Sequence, residues 1–229
     1  TGKDWIEENG VDLHVVDDFI YSKVSLRPTR WVLAVPADSP VQKIEDLAGK
    51  RIASEMTNFT KRYFESRGIP VHVEFSWGVT EAKAADGLVD AIVEVTETGS
   101  TIKAHGLRIV ASLLESNPQL VANREAWADP WKREKIDQIA LLLRGGMAAE
   151  SRVGLKMNVR KDRVDDVVAM IPSITAPTVA TLYPTAALHG EEWFSVETVI
   201  EEAVVRDLIP RLIKAGAVGI VEYPLNKVL

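Results

Sequence analysis

Asp90-Ala91-Ile92-Val93-Glu94-Val95-Thr96-Glu97-Thr98-Gly99-Ser100-Thr101 decides how this chain is read. Ala91–Val95 is a short apolar run with an acidic residue on either side of its centre, which predicts a buried strand. The chain then turns through hydroxyl residues and one glycine. A helix over Thr101-Ile102-Lys103-Ala104-His105 can follow. A strand–loop–helix turn of this kind presents free backbone N–H groups at a helix start, where a phosphate binds well. Thr98, Ser100 and Thr101 add hydroxyl donors, and Gly99 lets the backbone approach an oxyanion. Glu94, just ahead of the loop, has the acceptors to take hydrogen bonds from a pair of sugar hydroxyls. The pattern points to a phosphosugar. The same residues would also make an ordinary polar turn.

The stretch resembles the phosphoribosyl-diphosphate loop of the ATP phosphoribosyltransferases. That family's signature has Glu, five residues, Gly, then an acidic–apolar strand ending in Thr-Gly-any-Thr. Glu81 and Gly87 stand at this spacing, and Thr98-Gly99-Ser100-Thr101 closes it. Val89, Glu94 and Ile102 depart mildly, standing where a small residue, Asp, and Leu or Met are usual. The resemblance continues through Asp46–Ala53, Asn58–Phe64, Leu155–Val159, Ala176–Val179 and Lys214–Ala217, so it covers nearly the whole chain.

It implies an α/β protein. A two-lobed, periplasmic-binding-protein-like catalytic unit, incomplete at the N-terminus, precedes a C-terminal ferredoxin-like βαββαβ domain. Residues 1–30 and 115–151 would be the remainder of the first lobe, 31–114 the second lobe with the loop, and 152–229 the regulatory domain. In the family, Thr-Gly-any-Asp, here Thr1-Gly2-Lys3-Asp4, lies well inside the chain. The sequence therefore resembles the back three-quarters of such an enzyme.

The implied reaction joins ATP to phosphoribosyl diphosphate with Mg²⁺ and releases pyrophosphate, the first step of histidine biosynthesis. Asp90, Glu94, Thr96, Thr98, Gly99, Ser100 and Thr101 would bind phosphoribosyl diphosphate. No general base can be named. The longer members bind histidine as feedback inhibitor, and Asn158 and Thr178 are the positions carried over for it. The resemblance also implies a cytoplasmic homo-oligomer, from dimer to hexamer. The competing class is a non-catalytic phosphosugar or amino-acid sensor on the same fold.

On either side of this stretch, Trp31–Val35 predicts a buried strand, Arg51–Ser54 another, and Val71, Val73 and Phe75 alternate as a third. Ser39-Pro40-Val41-Gln42 reads as a capping box opening a helix that Gly49 closes. Helices are expected over Thr60–Arg67 and Glu81–Asp86, and strands over Val11–Val16, Leu107–Ala111 and Leu120–Ala122. Strands alternating with helices predict a parallel sheet. Ser22–Arg30 is a polar connection. A long helix is expected over Trp131–Glu150, with Gly145-Gly146 inside it marking a kink or a close contact.

Residues 152–229 carry a separate pattern. It has strands over Val153–Val159, Thr178–Leu182, Trp193–Thr198 and Ala217–Glu222. Its helices fall over Asp162–Met170, capped by Asp162, and Ala203–Ala215, with Pro210 expected to kink the second or weaken its first half. This order is ferredoxin-like. Asn158 ends one strand and Thr178 begins the next, so a polar amide and a hydroxyl can meet there to bind a small zwitterion, or simply cap strands.

Bulk properties narrow the function. The 229 residues are 46% apolar and 26% charged, with net charge −6. Neither residues 152–229 nor the remainder is basic, which argues against a nucleic-acid partner. No apolar run approaches a membrane span. Cysteine is absent, removing disulfides, thiol nucleophiles and thiolate metal sites. His14, His72, His105 and His189 show no metal-ligand spacing. His105 stands just behind the loop. Arg51, Lys61, Arg62, Glu55, Asn58 and the tryptophan Trp77 are further candidates at the sheet end.

Overall fold

The computed structural model describes residues 1–20, 28–185, 188 and 190–229. Ser22–Arg27 of the polar connection and His189 lie outside the described residues. The chain divides into two compact units, Thr1–Asp137 and Gln138–Leu229.

The first unit is built on a mixed five-stranded sheet. Its strands are β2 (Thr29–Pro36), β3 (Arg51–Ser54), β4 (His72–Phe75), β5 (Ala91–Thr96) and β6 (Leu107–Ser116), in the order β4-β3-β5-β2-β6. β3 runs parallel to β4 and β5. The all-parallel expectation fails at one strand, because β2 runs antiparallel to both β5 and β6. An apolar run reports that a strand is buried, not which way it points. Val32, Leu33, Ala34 and Val35 are all fully buried. Trp31, Leu33 and Val35 enter one apolar cluster, Val32 and Ala34 the other, as the two-residue period of a strand requires.

Helices α2 (Thr57–Glu65), α3 (Thr80–Ala85) and α4 (Ser100–Ala104) connect these strands. Helix α1 (Lys3–Asn9) leads into strand β1 (His14–Asp18), which pairs antiparallel with β7 (Gln119–Ala122) in a separate two-stranded ribbon. The strand expected at Val11–Val16 therefore starts three residues later.

Two local expectations are corrected. Ser39–Gln42 does not open a helix; a single 3₁₀ turn, Ile44–Leu47, forms instead. The Ser39 hydroxyl is used two residues on, by the Val41 N–H at 3.3 Å. The Asp46 carboxylate accepts from the N–H groups of Gln42 and Lys43, at 2.9 and 3.2 Å. Helix α2 starts three residues before the expected Thr60. Its first-turn N–H groups, on Asn58 and Phe59, donate to the Glu8 carboxylate of α1 at 3.0 and 2.7 Å. A cap delivered from fifty residues away leaves no local signature.

After the short helix α5 (Arg124–Ala128), helix α6 (Pro130–Glu150) contains the boundary between the units. Gly145 is a close contact. A Cβ there would lie 2.5 Å from Leu229 Cδ2, and its carbonyl accepts from Val228 N–H at 2.9 Å.

The second unit runs β8 (Arg152–Arg160), α7 (Val164–Val168), β9 (Thr178–Thr181), β10 (Trp193–Glu201), α8 (Glu202–Lys214) and β11 (Val218–Pro224). The sheet order is β11-β8-β10-β9 with every pairing antiparallel, the ferredoxin-like arrangement. Leu155, Met157, Val159 and Val196 face Leu208 and Leu212 in its core. Asp162 is not the helix cap, because Arg160 engages its carboxylate at 2.6 and 2.7 Å. Helix α8 continues through Pro210. Burial of Val205, Leu208 and Leu212, at about 1.5–3 kcal/mol each, exceeds the ~3 kcal/mol that a mid-helix proline costs.

Candidate functional site

The β5–α4 turn is built around Gly99, whose φ of +80° lies in the left-handed region that side chains disfavour. That geometry folds the loop onto itself. Gly99 N–H donates to the Thr96 hydroxyl at 2.8 Å, and Ser100 N–H to the Thr98 hydroxyl at 3.3 Å. The Thr98 and Ser100 hydroxyls are 2.9 Å apart. These are the donors an anion would compete for. Thr101 carbonyl meets the His105 ring at 3.0 Å, which places His105 against the back of the loop.

Thr96, Thr98, Ser100 and Thr101 line a cavity of about 800 Å³ within the first unit. Its other walls include Asp4, Thr29 and Ser116. The Asp4 carboxylate accepts from Trp31 Nε1 at 2.8 Å and from Trp5 N–H at 2.9 Å, while Asp4 N–H donates to the Ser116 hydroxyl at 3.1 Å. Sequence reading passed over Asp4, Thr29 and Ser116 as site residues. They come from three separate segments and share no spacing, so only the fold brings them together.

Glu94 does not line this cavity. It shares a strand face with Thr96, two residues on, and its carboxyl accepts from Val95 N–H at 3.1 Å. Burial pushes that carboxyl above the usual glutamate value of 4.5, the Val95 N–H pulls the other way, and the charge of Glu81 adds to the rise. The Thr80 hydroxyl lowers it, and Glu55 raises it again.

Asp90 is not brought to the loop. It stands at the opposite end of β5, roughly 20 Å from Thr96 at the rise of an extended strand. There it accepts from Arg51 N–H at 2.9 Å and pairs with Lys50 at 3.5 Å. The Arg51 N–H bond, then the Lys50 charge, hold its carboxyl below the usual range. Those contacts tie β5 to β3. Arg51 belongs to that same far end. Arg62 is spent on the carbonyls of Glu7 and Glu8. Trp77 is 73% exposed just past the C-terminal end of β4.

In the second unit, Asn158 pairs in register with Ser195 and Thr178 with Glu197, on opposite sides of β10. Ser195 and Glu197 are two apart, so both candidates project from one sheet face, roughly 12 Å from each other. This is the face away from the core. Asn158 is half-buried and Thr178 exposed. Between them, Glu197 accepts from the Tyr223 hydroxyl.

A mixed α/β sheet with a glycine-centred strand-to-helix turn over a cavity, followed by a ferredoxin-like domain, defines the class as two-domain α/β proteins with a hydroxyl-rich loop at the sheet end. Residues 1–145 match the family described as ATP phosphoribosyltransferase, and 149–227 match the HisG C-terminal domain. The ATP phosphoribosyltransferase of Desulfatibacillum aliphaticivorans is 61% identical over the whole chain, which covers 76% of that protein. ATP phosphoribosyltransferase 1 of Geobacter sulfurreducens is 58% identical over the whole chain, covering 77% of it. A solved structure of the ATP phosphoribosyl transferase HisG:HisZ complex from Thermotoga maritima aligns with a TM-score of 0.52 at 31% identity. That alignment covers 61% of this chain and 64% of that one. The chain belongs to the ATP phosphoribosyltransferase family, pentosyltransferases of the first step of histidine biosynthesis.

Proposed function

We propose that this chain binds phosphoribosyl diphosphate at Thr96–Thr101 and condenses it with ATP, releasing pyrophosphate. The observation that carries the reading is the left-handed Gly99 turn, which sets four hydroxyl-bearing residues along the wall of one cavity. The 5′-phosphate takes the Gly99 and Ser100 N–H groups from the Thr96 and Thr98 hydroxyls. Those hydroxyls also have their own protons to turn to the phosphate. Glu94 accepts the ribose hydroxyls. Asp90 is left out of the site because its partners hold it at the far end of the strand.

An adenine ring nitrogen then attacks the anomeric carbon as pyrophosphate leaves. Positive charge develops on the ribose and negative charge on the leaving group, so the protein acts by positioning and fixed dipoles. When bound, Mg²⁺ would supply positive charge to offset the negative charge developing on the leaving diphosphate. The donor chemistry fits, since Glu55, Glu81 and Glu94 offer hard oxygens and Mg²⁺ usually takes one or two carboxylates beside phosphates and water. Among the described residues no three acidic or histidine side chains already form a metal cage. No helix of the described residues is long and apolar enough to cross a membrane.

The second unit takes histidine as an inhibitor on the sheet face holding Asn158 and Thr178, and the protein works as a cytoplasmic homo-oligomer, from dimer to hexamer. The test is a coupled pyrophosphate assay on the full-length protein. Release that requires ATP, phosphoribosyl diphosphate and Mg²⁺ together supports the reading. A folded full-length protein that releases none overturns it.

A further inference from the structure

A small molecule that touches both Asn158 and Thr178 has to lie across β10. Strand β8 carries the one, β9 the other, and β10 runs between them. Ser195 and Glu197 are the β10 residues it crosses, paired in register with Asn158 and Thr178. Of these four positions Glu197 alone is charged, and it is exposed.

Glu197 is held from the far side of the sheet. Tyr223 stands on β11, opposite Gly154 of β8. Its ring lies over Gly154, where a Cβ would collide with Cε2 and Cζ of the ring. Beyond the glycine its hydroxyl donates to Glu197 Oε1. Residue 154 must therefore lack a side chain for the tyrosine to cross β8. Lys156 is the register partner of Glu197 on β8, yet Oε1 takes the Tyr223 hydroxyl. An ionised carboxylate has about four acceptor sites, so one bond fixes its direction and leaves capacity for a ligand.

We propose that Glu197 receives the ammonium group of the effector, and that Tyr223, lying over Gly154, is the positioning residue that aims it. This rests on the reading of this face as the histidine site given above. An ammonium group has three donors and no acceptor, which suits an acceptor-only carboxylate. The effector's own carboxylate is repelled by Glu197 and drawn toward Lys156, so the two charges give a bound amino acid one orientation. The recognised class is a free α-amino acid. The same molecule without its amine should be refused.

The test is calorimetric titration of the full-length protein with histidine and with 3-(imidazol-4-yl)propanoate, which is histidine without its amino group. Wild type should prefer histidine by at least about tenfold, the worth of one hydrogen bond between charged groups. Glu197→Gln should lose most of that preference by weakening histidine alone. Tyr223→Phe keeps the ring over Gly154 and should weaken histidine severalfold while leaving the amine-free ligand unchanged. Gly154→Ala, which displaces the ring, should do the same. General loosening of the sheet would weaken both ligands alike. A Glu197→Gln variant that keeps the wild-type preference refutes the ammonium contact, while Asn158→Ala binding histidine less tightly still keeps the effector on this face. A Tyr223→Phe variant that binds both ligands as wild type does, or loses both equally, refutes the positioning role. No binding of histidine by wild type, or wild-type binding by both Asn158→Ala and Glu197→Gln, removes the effector from this face and the proposal with it.

Discussion

Glu8→Ala should weaken the first unit far more than its neighbour Glu7→Ala. Glu8 is 7% exposed and gives one carboxylate oxygen to each of two N–H groups, those of Asn58 at 3.0 Å and Phe59 at 2.7 Å. Both belong to the first turn of α2, whose N–H groups have no partner within the helix. Removing an acceptor from a buried donor costs about 1–3 kcal/mol. The Asn58 side is exposed, so water restores part of that bond, while Phe59 is half-buried. Losing the negative charge at the helix start adds a further ~0.3–1 kcal/mol. The sum is about 2–3 kcal/mol. Glu8→Gln keeps one acceptor oxygen and should cost about half as much. Urea unfolding followed by circular dichroism is the assay. At a slope of about 1–3 kcal/mol per molar, the midpoint of the first transition should fall by about 1 M in Glu8→Ala. Glu7 is exposed, so Glu7→Ala should stay within ~0.5 kcal/mol of wild type. Equal midpoints for the two alanine variants would refute the view that Glu8 starts α2.

Glu94→Gln should raise stability at pH 7. A carboxyl whose folded pKa is raised loses stability as pH climbs from 4.5 through the folded value, so the gain should vanish below pH 4.5; thermal melts at pH 4 and 7 that show the same difference would contradict this. Asn158→Ala and Thr178→Ala should each move the half-inhibiting histidine concentration upward about tenfold, within the usual range of allosteric coupling. Inhibition curves that overlay wild type would remove those residues from the effector site.

Much of the fold was legible because burial and chain turns are written locally. Arg51–Ser54 has the same limits in sequence and structure, and the βαββαβ order of 152–229 follows from apolar periodicity and turn residues. The direction of β2 was not legible, since an apolar run is the same read either way. Nor was the start of α2, whose cap comes from Glu8, nor the fate of Ser39, whose hydroxyl had a nearer partner. At the site, the loop hydroxyls were legible because they adjoin one glycine. Asp4, Thr29 and Ser116 were not, because tertiary structure alone places them at the cavity. Asp90 misled because an acidic residue flanking a strand reads the same whether it faces a ligand or ties down the neighbouring strand.

Calorimetric titration of the full-length protein with phosphoribosyl diphosphate and Mg²⁺ shows whether the Gly99 turn holds the phosphate. A side chain at φ +80° costs about 1–2 kcal/mol, and a Cβ there would lie 3.3 Å from Ile109 Cδ1. Gly99→Val should therefore bind at least about thirtyfold more weakly, equivalent to ~2 kcal/mol, while a surface control such as Glu7→Ala binds as wild type does. A folded Gly99→Val variant with unchanged affinity would contradict the account.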